Sequence, residues 1–489
     1  MNPSNFTYPL APIGARPLAD SMLSSSQGKI ERSIAVNIQI MLKLLHTLEQ
    51  LRKHETWSRS QLETYQTEAL HELRQYAYER SPFYQKFHKG LTDRPLHELP
   101  VLTKAMMMEN FDELVTDRTL HLEEIRAYAS QGEAGQRYKN RYWVNATSGS
   151  TGHPGFFLFD ESEWVSVLAS FARSQEWSGV HIDLIHRQKM ATVASISPWH
   201  MSSQVAATVK SWWRPSLRVP ASQPLSKTVE ELNAWRPEVL VAYASMLGIL
   251  AEEQLAHRLH IDPKFIYSAS EVLTLQTIKR VKEAWGIEPF NQYVSTETAS
   301  IAAEHQSCRR MHFLEDLVIT ENVDEQYRPV PPGEYGAKLL VTTLFSRTQP
   351  LIRYEINDSV RVSAEPHNCG LPFAVLESIQ GRVEDSLTLP AASGGQVLIR
   401  PLVINRIMDI VPVSGWQVIQ QADNGLVVLL TGAHNGLTDD ALVNQIRESL
   451  AQEGARAPYI RIQRVSEIPK TAAGKAPLIK AYKATPVHE

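Results

Sequence analysis

The sequence predicts an α/β fold, because helical patterns alternate with short apolar strand patterns along most of its 489 residues. Apolar runs rich in Val and Leu are typical of buried strands, and they occupy residues 239–243, 339–343 and 426–430. Helical patterns occupy residues 230–235, 245–259 and 275–285, and Gly286 ends the last of these helices. A chain of this length exceeds one ordinary domain and can bury a large core.

A change in composition near Gly381 and Arg382 indicates a domain boundary. The chain after this point has a strand and helix pattern of its own, at residues 417–421, 426–430, 439–450 and 459–465. We therefore predict three parts: an N-terminal arm and helix (1–55), a large domain (56–381) and a small C-terminal domain (382–489).

The N-terminal part has two predicted features. Residues 1–28 are rich in Pro and Ser, which is typical of an irregular arm. Residues 34–51 predict an amphipathic helix whose apolar face comprises Ile38, Leu42, Leu45 and Leu48. We expect this face to pack on the protein's own core, and a partner helix, as in a homodimer, is the alternative.

Composition excludes several classes of protein. The hydrophobic content of 43% and charged content of 21% are those of a soluble globular protein. A net charge of −4 argues against a surface for nucleic acid or anionic membranes. No apolar run is long enough for membrane insertion, and the N-terminus lacks a signal-peptide pattern. Two cysteines provide no disulfide framework, so a reducing cytoplasm is the expected location.

Residues 145–155 (N-A-T-S-G-S-T-G-H-P-G) form the most informative segment, the 145–155 loop. It lies between two apolar, β-prone segments, which predicts a strand, a loop and a second strand. Glycines let backbone N–H groups converge on one point, and hydroxyl groups add donors, so the loop suits a polyphosphate. The residues that would form this concavity are Ser148, Gly149, Ser150, Thr151 and Gly152. A flexible hairpin loop is the alternative. The segment is not a Walker P-loop, because no Gly-Lys-Ser/Thr follows.

Four further segments, in the expected order, complete a resemblance to the adenylate-forming enzymes, the acyl-CoA ligase and adenylation superfamily. They are residues 292–297 (Q-Y-V-S-T-E), 351–358 (L-I-R-Y-E-I-N-D), 381–385 (G-R-V-E-D) and 468–475 (I-P-K-T-A-A-G-K). A narrower resemblance, to the phenylacetate–CoA ligase branch with its ligase-like proteins of capsular polysaccharide clusters, is carried by residues 76–84, 99–104, 109–111, 270–274, 387–390 and 394–395.

This resemblance implies a large adenylation domain with a small, mobile α+β lid domain. It implies that ATP activates a small carboxylic acid as an acyl-AMP, and that the acyl group then passes to a thiol, with coenzyme A the expected acceptor. A carrier protein or a nitrogen nucleophile is an alternative acceptor. A degenerate nucleotide-binding protein is a second alternative, because His153, Val294 and Asn357 replace the family's usual Lys, Gly and Gly.

The resemblance also implies how the nucleotide binds. The five loop residues named above would hold the β- and γ-phosphates of ATP. Tyr293 would stack on adenine, whereas Asp358 and Arg382 would hold the ribose. The alternatives without a binding role are a core tyrosine for Tyr293 and a turn residue for Asp358.

The residues implied for chemistry lie in two motifs. Thr296 would donate to the α-phosphate and Glu297 would hold Mg²⁺, although residues 295–297 also look like the N-terminus of a helix. Lys475 would bridge the acid and the α-phosphate in the transition state, with Lys470 the weaker candidate. Asp385 would lie at the hinge of the lid.

Both cysteines lie near a histidine, which indicates a second site. Cys308 precedes His312 by four residues, and His367 precedes Cys369 by two. These four ligands suit a structural, tetrahedral Zn²⁺. Some members of the resembled branch have a Cys-rich zinc site at matching places. His305 is a rival ligand, and two unligated thiols are the alternative.

The acyl pocket is expected among residues 195–201, 243–245 and 268–270, where relatives line it. Trp199 and Met201 suit an aromatic or apolar acid, although core packing explains both equally well.

Overall fold

The computed structural model describes residues 38–131, 133–147, 154–182, 187–209, 214–382, 385–408, 410–411, 413–432, 438–471 and 474–482. The N-terminal arm and the predicted phosphate-binding residues 148–152, with His153, lie outside the described residues.

The first described elements are helices that pack around the large core. They are α1 (residues 38–54), α2 (Arg59–Arg80), α3 (Pro82–Phe87), α4 (Lys104–Glu109), α5 (Phe111–Leu114) and α6 (Leu122–Ala129). Helix α2 begins at a capping box, in which Ser58 and Gln61 each accept the other's backbone N–H. An antiparallel pair of β1 (Trp143–Ala146) and β2 (Phe156–Phe159) follows, so the two strands predicted around the 145–155 loop are confirmed.

A nine-stranded mixed sheet forms the centre of the molecule. Its order is β13-β14-β9-β8-β7-β6-β5-β3-β4. The strands are β3 (Met190–Ala194), β4 (Ser216–Pro220), β5 (Val239–Ala242), β6 (Phe265–Ala269), β7 (Phe290–Ser295), β8 (Ala299–Glu304), β9 (Met311–Phe313), β13 (Asp358–Val362) and β14 (Val375–Arg382). The connecting helices are α7 (Glu161–Trp177), α8 (Met201–Val209), α9 (Leu225–Trp235), α10 (Ala244–Leu255) and α11 (Leu275–Trp285). A separate antiparallel sheet contains β10 (Val318–Val323), β11 (Lys338–Thr343) and β12 (Tyr354–Ile356).

The two halves of the large sheet differ in direction. Strands β3 to β7 are parallel, whereas β7, β8, β9, β14 and β13 pair antiparallel. The carboxyl ends of the parallel strands therefore meet at one edge, which is where ligands bind in open α/β sheets.

The C-terminal unit, residues 385–482, has its own sheet and its own apolar core. Its elements are β15 (Leu387–Pro390), β16 (Gln396–Ile399), α12 (Pro401–Met408), β17 (Gly415–Gln420), β18 (Leu426–Thr431), α13 (Asp439–Gln452), β19 (Ile460–Arg464) and β20 (Ile479–Lys480). The main sheet has the order β19-β18-β17-β20. The predicted α/β fold class is confirmed, whereas the domain boundaries at 55 and 381 stay predictions.

The buried face of α1 differs from the prediction. Ile38 and Leu42 are 54% and 59% exposed, whereas Ile40, Leu44, Leu48 and Leu51 are buried. Ion pairs from Lys43 to Glu161 and from Arg52 to Glu176 orient α1 against α7. The prediction that Ile38 and Leu42 pack on the core is wrong, because contacts with α7 select a face that the local pattern does not determine.

Within the described ranges, no helix combines the length and the apolarity needed to cross a membrane. The cytoplasmic location and the homodimer stay predictions.

Candidate active site

A cavity of about 1700 Å³ lies at the carboxyl ends of β5, β6 and β7, between the large sheet and the C-terminal unit. Many of the predicted site residues line it: Tyr293, Thr296, Glu297, Asp358, Arg382, Asp385, Lys470 and Lys475. These residues come from four separate motifs. The fold therefore brings together most of the described residues to which the sequence assigned ATP chemistry.

Tyr293, Asp358 and Arg382 form one group, which a hydrogen bond and an ion pair hold together. The Tyr293 hydroxyl donates to Asp358 Oδ2 over 2.6 Å. Asp358 begins β13 and faces Arg382 across the β13–β14 ladder, with 3.7 Å between Arg382 Nε and Asp358 Oδ1. Burial, reinforced by the charge of Asp358, raises the pKa of Tyr293 well above its usual value, so the phenol stays a donor.

Thr296 and Glu297 lie in the turn that joins β7 to β8. The prediction of a helix N-terminus here is wrong: the Ser295 hydroxyl accepts the Thr298 N–H over 3.2 Å and the chain returns as the antiparallel strand β8. Burial raises the pKa of Glu297, and the positive charges of Arg382 and Lys104 oppose this rise. A half-buried carboxylate beside a cavity fits a hard divalent cation, which would favour its ionised form.

Lys475 reaches the cavity from the C-terminal unit. A turn closed by the Thr471 N–H and the Lys475 carbonyl over 2.7 Å holds its backbone. The ammonium donates to the Ser270 carbonyl over 3.3 Å and lies 5.5 Å from the centre of the Tyr243 ring. Burial lowers the pKa of Lys475, whereas Glu271 and Asp358 raise it.

Gly474 allows this close approach. Its φ is +79°, and an added Cβ would lie 2.7 Å from Ala221 Cβ in the large domain. A side chain here would be strained and would push the Lys475 segment away from the cavity. Lys470, by contrast, forms an ion pair with Glu467 of its own unit over 2.9 Å.

The base of the 145–155 loop points to the same cavity. Thr147 lines the cavity, and it exchanges backbone and hydroxyl hydrogen bonds with Gly155 over 3.0 and 2.8 Å. The Lys104 ammonium donates to the Thr147 hydroxyl over 3.3 Å. Lys104 therefore adds a positive charge at the base of the 145–155 loop.

Comparisons with known proteins agree with this geometry, although no family model matches the chain. The chain is 24% identical to a phenylacetate-coenzyme A ligase of Thermus thermophilus over 396 residues, which covers 76% of this chain and 81% of the relative. It is 22% identical to the protein CapK of Staphylococcus aureus, over 84% of this chain and 87% of the relative. A solved 2-hydroxyisobutyryl-CoA ligase in the postadenylation state superimposes with a TM-score of 0.68 at 18% identity, over 88% of this chain and 92% of that one.

The chain has the adenylate-forming fold. The resemblance inferred from the five motifs is thus confirmed, and the predicted class of AMP-forming acid–thiol ligase agrees with the names of these proteins. The same solved ligase in its thioesterification state gives a lower TM-score, 0.56. The chain therefore superimposes better on that ligase in its postadenylation state than in its thioesterification state.

The apolar wall of the cavity is broader than the expected acyl pocket. Met201, Tyr243, Ser245, Ala269 and Ser270 line it as predicted. The wall also includes apolar side chains of three other elements, among them Leu168 and Phe171 of α7, Val241 of β5, and Met41 and Leu44 of α1. No sequence pattern indicated that α1 would reach the pocket.

Trp199 does not line this wall. Its ring packs against Tyr128 at 5.4 Å between centroids, in a separate apolar cluster. The expectation that Trp199 contacts the acid is therefore wrong, and the core-packing alternative holds for this residue. Trp199 instead fixes the hairpin, because its carbonyl accepts the Ala146 N–H over 2.8 Å.

The cysteine cluster lies in the antiparallel half of the sheet, and its three ligand residues are not among those that line the cavity. Cys308 Sγ and Cys369 Sγ each lie 3.3 Å from His312 Nε2, and the three ligand atoms are all within 4.8 Å of one another. Burial lowers the pKa of His312 to about 4, so its imidazole is neutral, as a ligand must be. His312 Nδ1 lies 3.1 Å from the Phe373 carbonyl, which fixes the ring.

The predicted fourth ligand is less well placed. His367 Nδ1 lies 3.1 Å from Cys369 Sγ, but His367 is outside the group of three mutually close ligand atoms. His305, the rival ligand, instead pairs its Nδ1 with the Ser307 hydroxyl over 2.7 Å. The donor set fits a soft or borderline metal such as Zn²⁺ through three ligands, with His367 the nearest additional donor.

Two cavity residues had no individual role in the predictions, although His200 belongs to the expected acyl-pocket segment 195–201. His200 lines the cavity, where burial and the charge of Lys475 lower the pKa of its imidazole. Glu271 accepts hydrogen bonds from Ser245 and from Ala476 of the C-terminal unit. Only the resemblance over residues 270–274 could have drawn attention to Glu271, because no spacing rule marks a carboxylate that binds backbone N–H groups.

Proposed function

We propose that the protein is an ATP-dependent ligase that converts a carboxylic acid to an acyl-AMP and transfers the acyl group to coenzyme A. The observation that carries this proposal is the convergence of Lys475 with Glu297, Asp358 and Arg382 on one cavity. These residues lie far apart in the sequence, and each has a charge suited to one part of ATP and its bound cation.

The reaction has two steps. In the first, a carboxylate oxygen bonds to the α-phosphorus of ATP, the bond to the bridging oxygen breaks, and pyrophosphate leaves. In the second, the thiolate of coenzyme A adds to the acyl carbonyl carbon, and AMP leaves. Phosphoryl chemistry of this kind depends mainly on positioning and on charge stabilisation.

The residues have distinct roles in the first step. The Lys475 ammonium neutralises charge between the acid and the α-phosphate, with Thr296 as a hydrogen-bond donor. Asp358, oriented by Tyr293, accepts from the ribose, and Arg382 donates to it. Tyr293 would also offer its ring to adenine. Residues 148–152 would hold the terminal phosphates. Glu297 would hold Mg²⁺, which neutralises phosphate charge when bound.

The apolar wall supports an acid with an apolar or aromatic body. Met201, Phe171, Leu168 and Met41 offer contacts without charge, so an acid with a second ionised group would lose solvation there. A nitrogen nucleophile or a carrier protein remains the alternative acceptor. The presence of Lys475 in the cavity argues against a degenerate nucleotide-binding protein.

The cysteine cluster supports a structural Zn²⁺ bound by Cys308, His312 and Cys369, with His367 proposed to complete the set. The cluster joins the β8–β9 connection to the loop before β14, so the ion would stabilise the fold and would not contact the acid. We also propose that residues 382–489 act as a mobile lid that turns near Arg382 and Asp385 between the two steps.

The test is pyrophosphate exchange into ATP with a panel of aromatic, aliphatic and hydroxylated acids. We expect exchange with at least one apolar acid, and mass spectrometry should then detect its acyl-coenzyme A. Nucleotide binding without exchange for every acid would favour the degenerate protein. Acyl-AMP that persists with coenzyme A, but reacts promptly with an amine, would favour the nitrogen acceptor.

A further inference from the structure

Glu271 joins the large domain to the C-terminal unit through both of its carboxylate oxygens. It follows β6, after Ser270, whose left-handed φ of +68° turns the chain sharply. Oε2 accepts the Ser245 N–H at the start of α10 over 2.9 Å. Oε1 accepts the Ala476 N–H of the C-terminal unit, also over 2.9 Å. One side chain thus receives one donor from each side of the interface.

The second bond acts on the residue next to Lys475. The Ser270 carbonyl accepts the Lys475 ammonium, and Glu271 accepts the N–H of Ala476. Ser270 therefore holds Lys475 by its side chain, and Glu271 holds the next residue by its backbone. This pairing determines where the ammonium lies in the cavity.

The first bond prepares the carboxylate for the second. The N-terminus of α10 carries exposed N–H donors and a partial positive charge, which favour an ionised and oriented Glu271. Burial raises the pKa of Glu271, which makes its ionised form costly, and the bonds from Ser245 and Ala476 oppose that rise. The ionised carboxylate is therefore stabilised most when the C-terminal unit is docked as it is here, because Ala476 then donates its N–H to Glu271.

We propose that Glu271 is a positioning residue that docks the Lys475 segment into the cavity for adenylation and not for thiol transfer. This inference rests on the proposed function. It is supported by the higher TM-score against the postadenylation state than against the thioesterification state of the solved ligase. Movement of the C-terminal unit for the second step would break the Ala476 bond and leave the Ser245 bond intact.

The kinetic test compares the two half-reactions in Glu271→Gln. Glutamine keeps the size of the side chain, but its NH₂ group faces an N–H donor at one of the two positions. We expect pyrophosphate exchange to fall about 10- to 100-fold, since a hydrogen bond to a charged group is lost. Thioester formation from supplied acyl-AMP and coenzyme A should change less than about twofold. Glu283→Gln, an exposed carboxylate on α11, is the matched control and should change neither rate.

Two further measurements separate positioning from a general structural role. In a Lys475→Ala background, Glu271→Gln should cause no further loss of exchange, because it acts through that lysine. Hydrogen–deuterium exchange at residues 474–480 should be about tenfold faster in Glu271→Gln, with β17 and β18 unchanged. This second measurement needs no substrate.

The outcomes distinguish this inference from the proposed function. Wild-type protein that exchanges pyrophosphate with no acid would remove the proposed function, whereas unchanged amide protection at residues 474–480 in Glu271→Gln would overturn the docking role. Equal losses in both half-reactions would overturn it too, because they are what a general loss of structure produces.

Discussion

The cavity and the cysteine cluster are built in opposite ways. The cavity receives side chains from residue 41 to residue 481, and Lys475 enters it across an interface between two sheets. In the cysteine cluster, His312 lies on β9, which pairs directly with both β8 and β14. Cys308 lies in the short connection between β8 and β9, and Cys369 lies in the loop before β14. Continuous strand pairing fixes the cluster, whereas a few hydrogen bonds fix Lys475. A few hydrogen bonds suit a site that must change between two reaction steps, because they can break and form again. Continuous strand pairing suits a structural site, which must stay the same.

The largest effect is expected at Lys475, because it stabilises charge that develops only during adenylation. Lys475→Ala should lower the rate of acyl-AMP formation about 10²- to 10³-fold, the usual cost of removing one such group. Thermal unfolding should change little, since the ammonium makes one hydrogen bond. Single-turnover formation of acyl-AMP is the measurement. Pyrophosphate exchange at the wild-type rate in Lys475→Ala would show that Lys475 has no role in the chemistry. The main contrast between the two sites would then be lost.

Asp358 should show a smaller and different effect. Asp358→Asn preserves the size of the side chain and a hydrogen bond to Tyr293, but it removes the charge that faces Arg382. We expect the KM for ATP to rise about tenfold, with the KM for the acid unchanged. Calorimetry of ATP binding provides the check, and equal affinity in both proteins would contradict the ribose role.

Local signals explain which elements were predictable. Helix α11 could be predicted to its last residue, because Gly286 adopts the left-handed conformation, with φ of +74°, that ends a helix. The Cys308 cluster was visible because the chain has only two cysteines and each has a histidine nearby. Motifs at Tyr293, Asp358 and Lys475 were visible through resemblance.

Long-range pairing explains the errors. A Ser side chain that accepts an N–H three residues later begins either a helix or a turn, and only the pairing of β7 with β8 decides for Ser295. The buried face of α1 depends on α7, whose Glu161 lies 118 residues after Lys43. Leu42 was therefore predicted on the buried face, although it is exposed. Glu271 had no local signal, because its partners are backbone groups of Ser245 and Ala476.

Cys308→Ser tests the cysteine cluster, the second of the two contrasted sites. We expect loss of copurified zinc and a Tm lower by about 2–4 °C or more, because a closed metal site stabilises the folded chain. Pyrophosphate exchange at a temperature below the transition should remain near the wild-type rate. Zinc would be measured by elemental analysis of protein never exposed to chelator.

His305→Ala is the matched control for the metal site, since His305 pairs with Ser307 outside the group of three ligand atoms. It should retain zinc, whereas His367→Ala should lose part of it if His367 is the fourth ligand. Wild-type protein without zinc, or zinc lost only in His305→Ala, would show that the assigned ligand set is wrong.

The smallest effect is expected at Met41, where the cavity meets the N-terminal helix. Met41 is half-buried on α1 and lines the apolar wall, whereas its neighbour Leu42 is 59% exposed and does not line it. Met41→Ala removes apolar contact from the wall, so the KM for the best acid of the panel should rise about three- to tenfold. The KM for ATP should stay the same, because the Met41 side chain has no charged or hydrogen-bonding group to bind the nucleotide. Leu42→Ala removes as much side chain from the solvent side of the same helix and should change neither KM. If both variants behave alike, α1 only supports the fold; if Met41→Ala alone discriminates among acids, the N-terminal helix is part of the acyl pocket.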